Sequence, residues 1–451
     1  MNRRFLPLLA LALAGCQQAN TPPASAQVTA TKPPPAQPTA LETYLQKPEP
    51  AYKWSDISAD HAGDGTANLK LTSQTWQGRD WTHRLQIFKP QSIAFPDAAV
   101  IYISYGGGSF PETILGQGIS DISGAYAVNV FNVPNQPLYG KQEDDLVAYS
   151  FQKYLETGDS TWPLLLPMTK SVTKAMDALQ EWSQKTTGKP IKRFVITGAS
   201  KRGWTAYLVA ANDKRVVGAA PIVYDNLDIP DQIAHQREVW GQTSQLALAF
   251  SNLGLMDEGA TGSTRGKELL QSVDPYSYLS RLTMPIMSIN ATNDGYWPHD
   301  AQTIYRDQLG KVTSLSTYYA PNSTHFLNEQ IIPLAQSAAS WTHLLLSGSK
   351  IPTVNMKRQG SKFIATTTGQ PESVSLWLAK NSTRDFRKAR WNSLEMTKTA
   401  NGWEVSVPDD QLDPFAAAFA QVEWPNPPAH TNLVLSSPMW VNGDVLIAKA
   451  F

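Results

Sequence analysis

Phe194-Val195-Ile196-Thr197-Gly198-Ala199-Ser200-Lys201-Arg202-Gly203-Trp204 is the stretch from which the architecture of this chain follows. Phe194 to Thr197 is an apolar run of β-type residues. Small residues come next, then a serine, and then Ala206, Leu208, Val209 and Ala210 continue as a helix. A direct turn from strand to helix is strained, so small side chains must flank the residue at its apex. A serine there projects its hydroxyl above the sheet. It also sits at a helix N-terminus, whose dipole and free N–H groups favour developing negative charge. The spacing is Gly-x-Ser-x-x-Gly rather than the commoner Gly-x-Ser-x-Gly, because Arg202 stands two places after the serine and Gly203 three. Taken alone, such a serine is a cap or turn residue more often than a nucleophile.

On either side of this turn, apolar runs alternate with helical stretches. The runs are Ala99–Ser104, Tyr126–Val133, Arg193–Thr197, Val216–Val223, Ile286–Asn290 and Ser314–Tyr319. Between two of them Val172, Ala175, Met176, Leu179 and Trp182 recur at helical spacing, and Gly188-Lys189-Pro190 ends that helix. The alternation predicts an α/β fold with a mostly parallel sheet covered on both faces. Ahead of it, the pairs Leu69/Leu71 and Leu85/Ile87 predict an antiparallel hairpin. Val223 to Ile286 is too long for a single crossover, so a helical lid insertion is expected over about 228–280. After Lys350 the pattern changes to short strand-like runs split by Gly, Pro, Asn and Asp. These are Lys362–Thr367, Val374–Ala379, Trp403–Val407, Ala416–Val422 and Leu433–Ser436, and they predict an all-β sandwich of the immunoglobulin or fibronectin kind over 351–451.

A nucleophile turn in such a sheet matches the α/β-hydrolase core, here expected over 41–350. That template requires an acid after a later strand and a histidine after the last, in the chain order Ser, Asp, His. The run 285–290 leads into Asn293-Asp294-Gly295, and the run 316–320 leads into Asn322-Ser323-Thr324-His325. Ser200, Asp294 and His325 are therefore the expected triad: His325 takes the serine proton, and Asp294 orients and stabilises the imidazolium. Asp225 is a competing acid, and Asp294 before Gly295 could simply build a turn. His299 leaves the same loop as Asp294, and surface or core roles suit His61, His83, His235, His343 and His430. An oxyanion hole needs two converging N–H groups. Lys201 N–H is one candidate. The second is expected from Gly106, Gly107 or Gly108, where a strand runs into a glycine loop with Tyr105 in place of the histidine of lipase loops. Of 14 tryptophans, Trp204, Trp240 and Trp297 fall near the expected mouth and would suit a flat apolar substrate surface. Lys201 and Arg202 are expected to add positive charge there. No His/Asp/Glu group has metal-ligand spacing, so no metal or other cofactor is implied.

Composition narrows the field. The chain has 451 residues, with 38 Lys+Arg against 38 Asp+Glu, and no basic block, so a nucleic-acid partner is not expected. Its one cysteine excludes an intrachain disulfide and a CxxC metal site. That cysteine, Cys16, follows a basic start at Asn2-Arg3-Arg4 and an apolar run from Phe5 to Ala14. Leu13-Ala14-Gly15-Cys16 resembles a bacterial lipobox, which implies a signal peptide over 1–15 and a lipid on Cys16. The Pro-rich stretch over 16–40 reads as a tether. Gln17, in place of an aspartate, points to the outer membrane of a Gram-negative envelope.

Several longer motifs carry a family resemblance. They are Glu143-Asp144-Asp145-Leu146-Val147-Ala148-Tyr149, Trp162-Pro163-Leu164-Leu165-Leu166-Pro167-Met168 and Thr197 to Trp204, supported by Thr72-Ser73-Gln74-Thr75-Trp76 and Asn293-Asp294. From about Leu41 onward the chain resembles the PhoPQ-activated pathogenicity-related family, which is similar to the eukaryotic autocrine proliferation repressor proteins. The resemblance implies a secreted or periplasmic α/β-hydrolase-like protein with a serine nucleophile and does not name a substrate. The combined expectation is a cell-envelope serine esterase acting on a small-molecule, glycan-linked or peptide-linked acyl group. A serine peptidase using the same triad is one rival. A non-catalytic binding or signalling protein that keeps the fold is the other.

Overall fold

The computed structural model describes residues 38–327 and 330–442; Cys16 and the rest of the stretch through residue 37 lie outside them. β1 (Lys53–Asp56), β2 (Ala67–Trp76) and β3 (Arg79–Phe88) form an antiparallel edge, with Leu69 opposite Leu85 as the alternation requires. β4 (Phe95–Ile103), β5 (Ala125–Val130), β6 (Arg193–Ala199), β7 (Val216–Ile222), β8 (Ile286–Ala291) and β9 (Leu315–Ala320) are parallel to one another. Across the sheet the order is β1-β2-β3-β5-β4-β6-β7-β8-β9. Every residue of β5 and of β8 is buried, as expected for strands covered on both faces.

Helices α1 (Ala40–Gln46), α2 (Phe110–Ser123), α3 (Glu143–Thr157), α4 (Leu165–Thr187) and α5 (Lys201–Asn212) connect the first half of the sheet. The β7–β8 connection holds α6 (Ile229–Trp240), α7 (Leu248–Ser251), α8 (Glu258–Thr261) and α9 (Thr264–Val273). α10 (Arg306–Gly310) precedes β9, and α11 (Ile331–Leu346) follows it. Strand alternation divides the core in two. Ile101, Ile196 and Ala219 pack with α4 and α5 on one face, while their neighbours Val100, Val195 and Ala220 pack with Trp341 of α11 on the other. Helix α4 ends at Gly188 in the left-handed conformation (φ 72°), with the Gly188 N–H bonded to Gln184 O.

The C-terminal strands are β10 (Val354–Gln359), β11 (Lys362–Thr367), β12 (Ser373–Asn381), β13 (Asn392–Glu395), β14 (Thr397–Thr399), β15 (Gly402–Ser406), β16 (Phe415–Asn426), β17 (Thr431–Ser436) and β18 (Trp440–Val441). All their pairings are antiparallel. β10-β11-β15-β14 form one layer; β17-β16-β12-β13, with β18 on β16, form the other. The second layer continues the central sheet: Ser436 of β17 pairs with Thr317 of β9, and Ser436 Oγ accepts the Tyr319 N–H at 3.0 Å. Phe363 and Leu376, one from each layer, share a core that runs on into Met287 and Ile289 of β8.

Candidate active site

Ser200 stands between β6 and α5 with φ 57° and ψ −126°. For a residue with a Cβ this is a strained conformation, costing on the order of 1–3 kcal/mol. The turn is held by the Ser200 N–H on Ile222 O (2.8 Å) and the Trp204 N–H on Ser200 O (2.9 Å). The two glycines explain the unusual spacing. A Cβ on Gly198 would lie 2.8 Å from Arg202 Cβ, and one on Gly203 would lie 3.0 Å from both Gly198 O and Ile222 O. Gly203 is thus where α5 comes closest to the ends of β6 and β7, so the second glycine falls three places after the serine.

Asp294 leaves the end of β8 and His325 the loop after β9. Both are buried, and His325 Nδ1 lies 2.8 Å from Asp294 Oδ2 and 3.1 Å from Oδ1. A carboxylate at Nδ1 fixes the proton there and leaves Nε2 as the basic atom. Asp294 is oriented in turn by the Tyr296 N–H at 2.7 Å. The Tyr296 ring lies against the imidazole (centroids 4.3 Å apart), and its hydroxyl donates to Asp144 at 2.8 Å. Ser200 and His325 wall one cavity, and no hydrogen bond joins them in this conformation. Asp225, the competing acid, takes no part: it accepts Tyr305 Oη–H at 2.5 Å and the Asn290 amide at 2.9 Å, and burial pushes its carboxyl up to about 7.

The positive charge expected from Lys201 and Arg202 is neutralised. Arg202 donates to both oxygens of Glu143 (2.8 and 2.6 Å) and, through Nε, to Val133 O at 2.8 Å. Lys201 Nζ pairs with Glu143 at 2.6 Å and with Asp144 at 2.9 Å. Burial alone would raise the Glu143 carboxyl, but the Arg202 and Lys201 contacts outweigh it and hold Glu143 well below the usual carboxylate range. The pairing follows from the left-handed backbone of Glu143 (φ 50°), locked by its N–H on Gln136 Oε1 at 2.8 Å. Arg202 therefore faces the cavity as half of an ion pair. The acidic opening of the Glu143-Asp144-Asp145 motif was the signal for this, although no partner for it is evident from sequence.

The glycine loop also differs in detail. Gly106 N–H is bonded to Ser104 Oγ at 3.0 Å, while Gly108 and Ser109 N–H are bonded to Glu112 at 3.2 and 2.7 Å. Gly106 and Gly108 are thus engaged within the loop, Gly108 by the glutamate of the Ser109–Glu112 capping box that opens α2. Among Tyr105 to Gly108, it is Tyr105 that lines the cavity of Ser200. The Lys201 N–H opens α5, where the first N–H groups have no partner within the helix.

The loops that carry Asp294 and His325 are both fastened to the C-terminal segment. Asn293, beside Asp294, donates its amide to Phe386 O, Arg387 O and Ala389 O at 3.1, 3.3 and 2.7 Å. Asn322, ahead of His325, exchanges two hydrogen bonds with the Trp391 backbone (2.9 and 2.8 Å).

Two cavities meet at Ser200. A chamber of about 110 Å³ lies beneath α6–α9, with Phe151, Trp204, Tyr224, Phe250 and Trp297 on its walls. A larger cavity of about 1010 Å³ holds His325 and Tyr105 and extends between α2, α11 and the sheet. Trp204 stacks on Tyr224 at 5.2 Å, and Trp297 donates to Val223 O at 3.1 Å. Trp240 lies on the walls of neither cavity. The Arg387 guanidinium sits 4.3 Å from its ring centroid and holds it towards the C-terminal segment.

The remaining histidines are structural. His83 is buried between Ser73 Oγ (2.9 Å) and Phe131 O (3.0 Å), and burial pushes its imidazole down to about 4. His235 lies 2.8 Å from Asp300, and His299 packs 4.5 Å from the Phe386 ring. His343 lies 3.2 Å from Ser123 O, His61 is near Asp64 at 3.9 Å, and His430 closes a short 3-10 turn. Among the described residues, no group of three or more His, Cys, Asp or Glu side chains could hold a metal ion.

The model of the PhoPQ-activated pathogenicity-related protein family matches residues 41–387. Autocrine proliferation repressor protein A of Dictyostelium discoideum is 32% identical over 381 residues, covering 77% of this chain and 76% of that one. Among solved structures, the acetyl xylan esterase of Paenibacillus sp. R4 is 14% identical (TM-score 0.43) and is matched over 68% of this chain and 96% of its own. The acylaminoacyl peptidase of Pyrococcus horikoshii is 13% identical (TM-score 0.42), over 66% of this chain and 42% of its own.

Proposed function

The chain belongs to the PhoPQ-activated pathogenicity-related protein family, and on that premise we propose that it is a serine hydrolase that cleaves carboxylic esters. One observation carries the reading: a strained serine shares a cavity wall with a buried histidine whose other nitrogen is held by a carboxylate. In the first step Ser200 Oγ attacks the acyl carbon while His325 Nε2 takes its proton. The electron pair of the carbonyl moves onto oxygen, facing the Lys201 N–H. When the intermediate collapses, the C–O bond to the alcohol breaks, and His325 returns the proton to the leaving oxygen. Water, deprotonated by the same nitrogen, then attacks the acyl-serine, releasing the acid and restoring Ser200. Asp294 stays ionised throughout and stabilises the imidazolium.

A fluorophosphonate probe tests the nucleophile. Labelling is expected in the wild type and in Ser347→Ala and absent in Ser200→Ala; an unlabelled wild type would sink the reading. Purified protein offered matched ester and amide substrates distinguishes esterase from peptidase, and faster cleavage of the amides would replace the first with the second. The proposal extends to location. A lipid on Cys16 would hold the enzyme in the bacterial envelope, at the outer membrane, and palmitate incorporation lost in Cys16→Ser is the result that supports it.

A further inference from the structure

The larger cavity at Ser200 is much deeper than the chemistry needs. At about 1010 Å³ it matches the upper end of small-molecule sites, although an acyl carbon and its oxygens occupy only the mouth. Away from that mouth its walls are Val100, Ile119 and Val195 on one side and Leu334, Ala335 and Ala338 of α11 on the other. Several of the polar side chains along this depth are taken up by the protein itself. Thr197 donates to Ala220 O at 2.6 Å, Thr342 to Ala338 O at 2.8 Å, and Asn129 to Gln86 and to Glu112 O at 3.1 and 3.3 Å. What faces the lumen is therefore largely hydrocarbon, interrupted by Tyr102.

The rim supplies a second, separate observation. Tyr105, Leu246, Phe326 and Ile331 line the cavity and are also exposed, Phe326 at 69% and Tyr105 at 63%. Ile114 on α2 and Ile332 on α11 are exposed beside them. Exposed large apolar side chains gathered around one opening, rather than scattered singly, mark a surface that meets an apolar phase or ligand. Of the charges at the mouth, Glu143, Arg202, Lys201 and Asp144 neutralise one another, which leaves the exposed Asp145.

We propose that the cavity between α2, α11 and the sheet holds a long unbranched hydrocarbon chain, so that the substrate is an amphiphilic lipid ester. The chain lies along the hydrocarbon walls, the ester reaches Ser200, and the exposed rim meets the aggregate from which the lipid is drawn. The inference rests on the hydrolase reading for its reaction, and on the cavity alone for its ligand.

Two ester series test it, one lengthening the acyl arm from acetate to laurate and one lengthening the alkoxy arm of an acetate from ethyl to dodecyl. The expected result is a rise in kcat/KM of at least about tenfold with length in one series, collapsing to less than about twofold in Ala338→Phe, whose ring blocks the lumen. Ala335→Phe is the second block if Ala338→Phe does not fold. Both series favouring the short esters, or the preference surviving both blocks, overturns the proposal. Calorimetry on Ser200→Ala needs no turnover: laurate is expected to bind and butyrate not, and equal or absent binding of the two counts against the chain site. Laurate binding by a protein that no fluorophosphonate labels sinks the hydrolase reading and leaves the chain site standing. Labelled Ser200 with no chain-length preference does the reverse.

Discussion

Two carboxylates, Asp225 and Asp294, follow neighbouring strands of the same sheet, and both are almost wholly buried. They have opposite environments. Asp294 faces an imidazole, a backbone N–H and the wall of a cavity. Asp225 faces a tyrosine hydroxyl and an asparagine amide inside the core, where the loss of water outweighs the Tyr305 hydrogen bond, and its affinity for a proton rises accordingly. Burial of a carboxylate therefore does not mark a catalytic acid. Its partner does.

Mutations can break this contrast. The largest effect is expected at Asp294→Asn, with kcat/KM falling about 10⁴-fold because the histidine loses the partner that fixes its tautomer, while Asp225→Asn stays within about threefold. A turnover assay giving the reverse would exchange their roles. Next is Asn293→Ala, which frees the Asp294 loop from the carbonyls of 386–389. A drop of about tenfold in kcat with KM little changed would show that the loop's position, rather than substrate binding, has been lost.

The smallest effect is on stability and concerns Asp225. Its folded pKa, raised to about 7, lies above the unfolded value of about 4, so the folded state binds the extra proton between those limits. Stability from this group is present below about pH 4 and is lost as pH rises through about 7. Asp225→Asn should flatten that decline, so that the variant gains on the wild type in melting temperature between pH 5 and pH 8. Asn290 Oδ1 has no hydrogen-bond partner, so a turn of that amide would let it accept from either a protonated Asp225 or an asparagine there. A wild-type melting temperature equally flat over this range would remove the proton from Asp225.

The strands, the serine turn and the Ser-Asp-His order are all legible in the sequence, because each rests on local chemistry: alternation, glycine at close approaches, and acids or histidines just past strand ends. Charge at the mouth was not legible. Lys201 and Arg202 read as a positive patch until Glu143, nearly 60 positions earlier, is folded against them. The glycine loop misleads for a related reason. Three glycines suggest free N–H groups, yet Glu112, three places after Ser109, commits that of Gly108, and Ser104 commits that of Gly106. Tyr296 against His325 and the asparagine braces at 293 and 322 depend on contacts remote in sequence, so neither periodicity nor motif spacing reveals them. The same holds for the seam between β9 and β17. The run of short strands after Lys350 is plain, but the edge on which they pair cannot be read from their own residues.

The braces at Asn293 and Asn322 have a consequence for how the protein comes into being. The nucleophile turn lies before the midpoint of the chain, whereas Phe386, Ala389 and Trp391, which hold the acid and histidine loops, are made later than all three triad residues. During synthesis Ser200 therefore emerges well ahead of the segment that braces the Asp294 and His325 loops. The proposed centre stays unassembled until the tail has arrived, and a polypeptide cut short after α11 would carry Ser200, Asp294 and His325 without the fittings that align them.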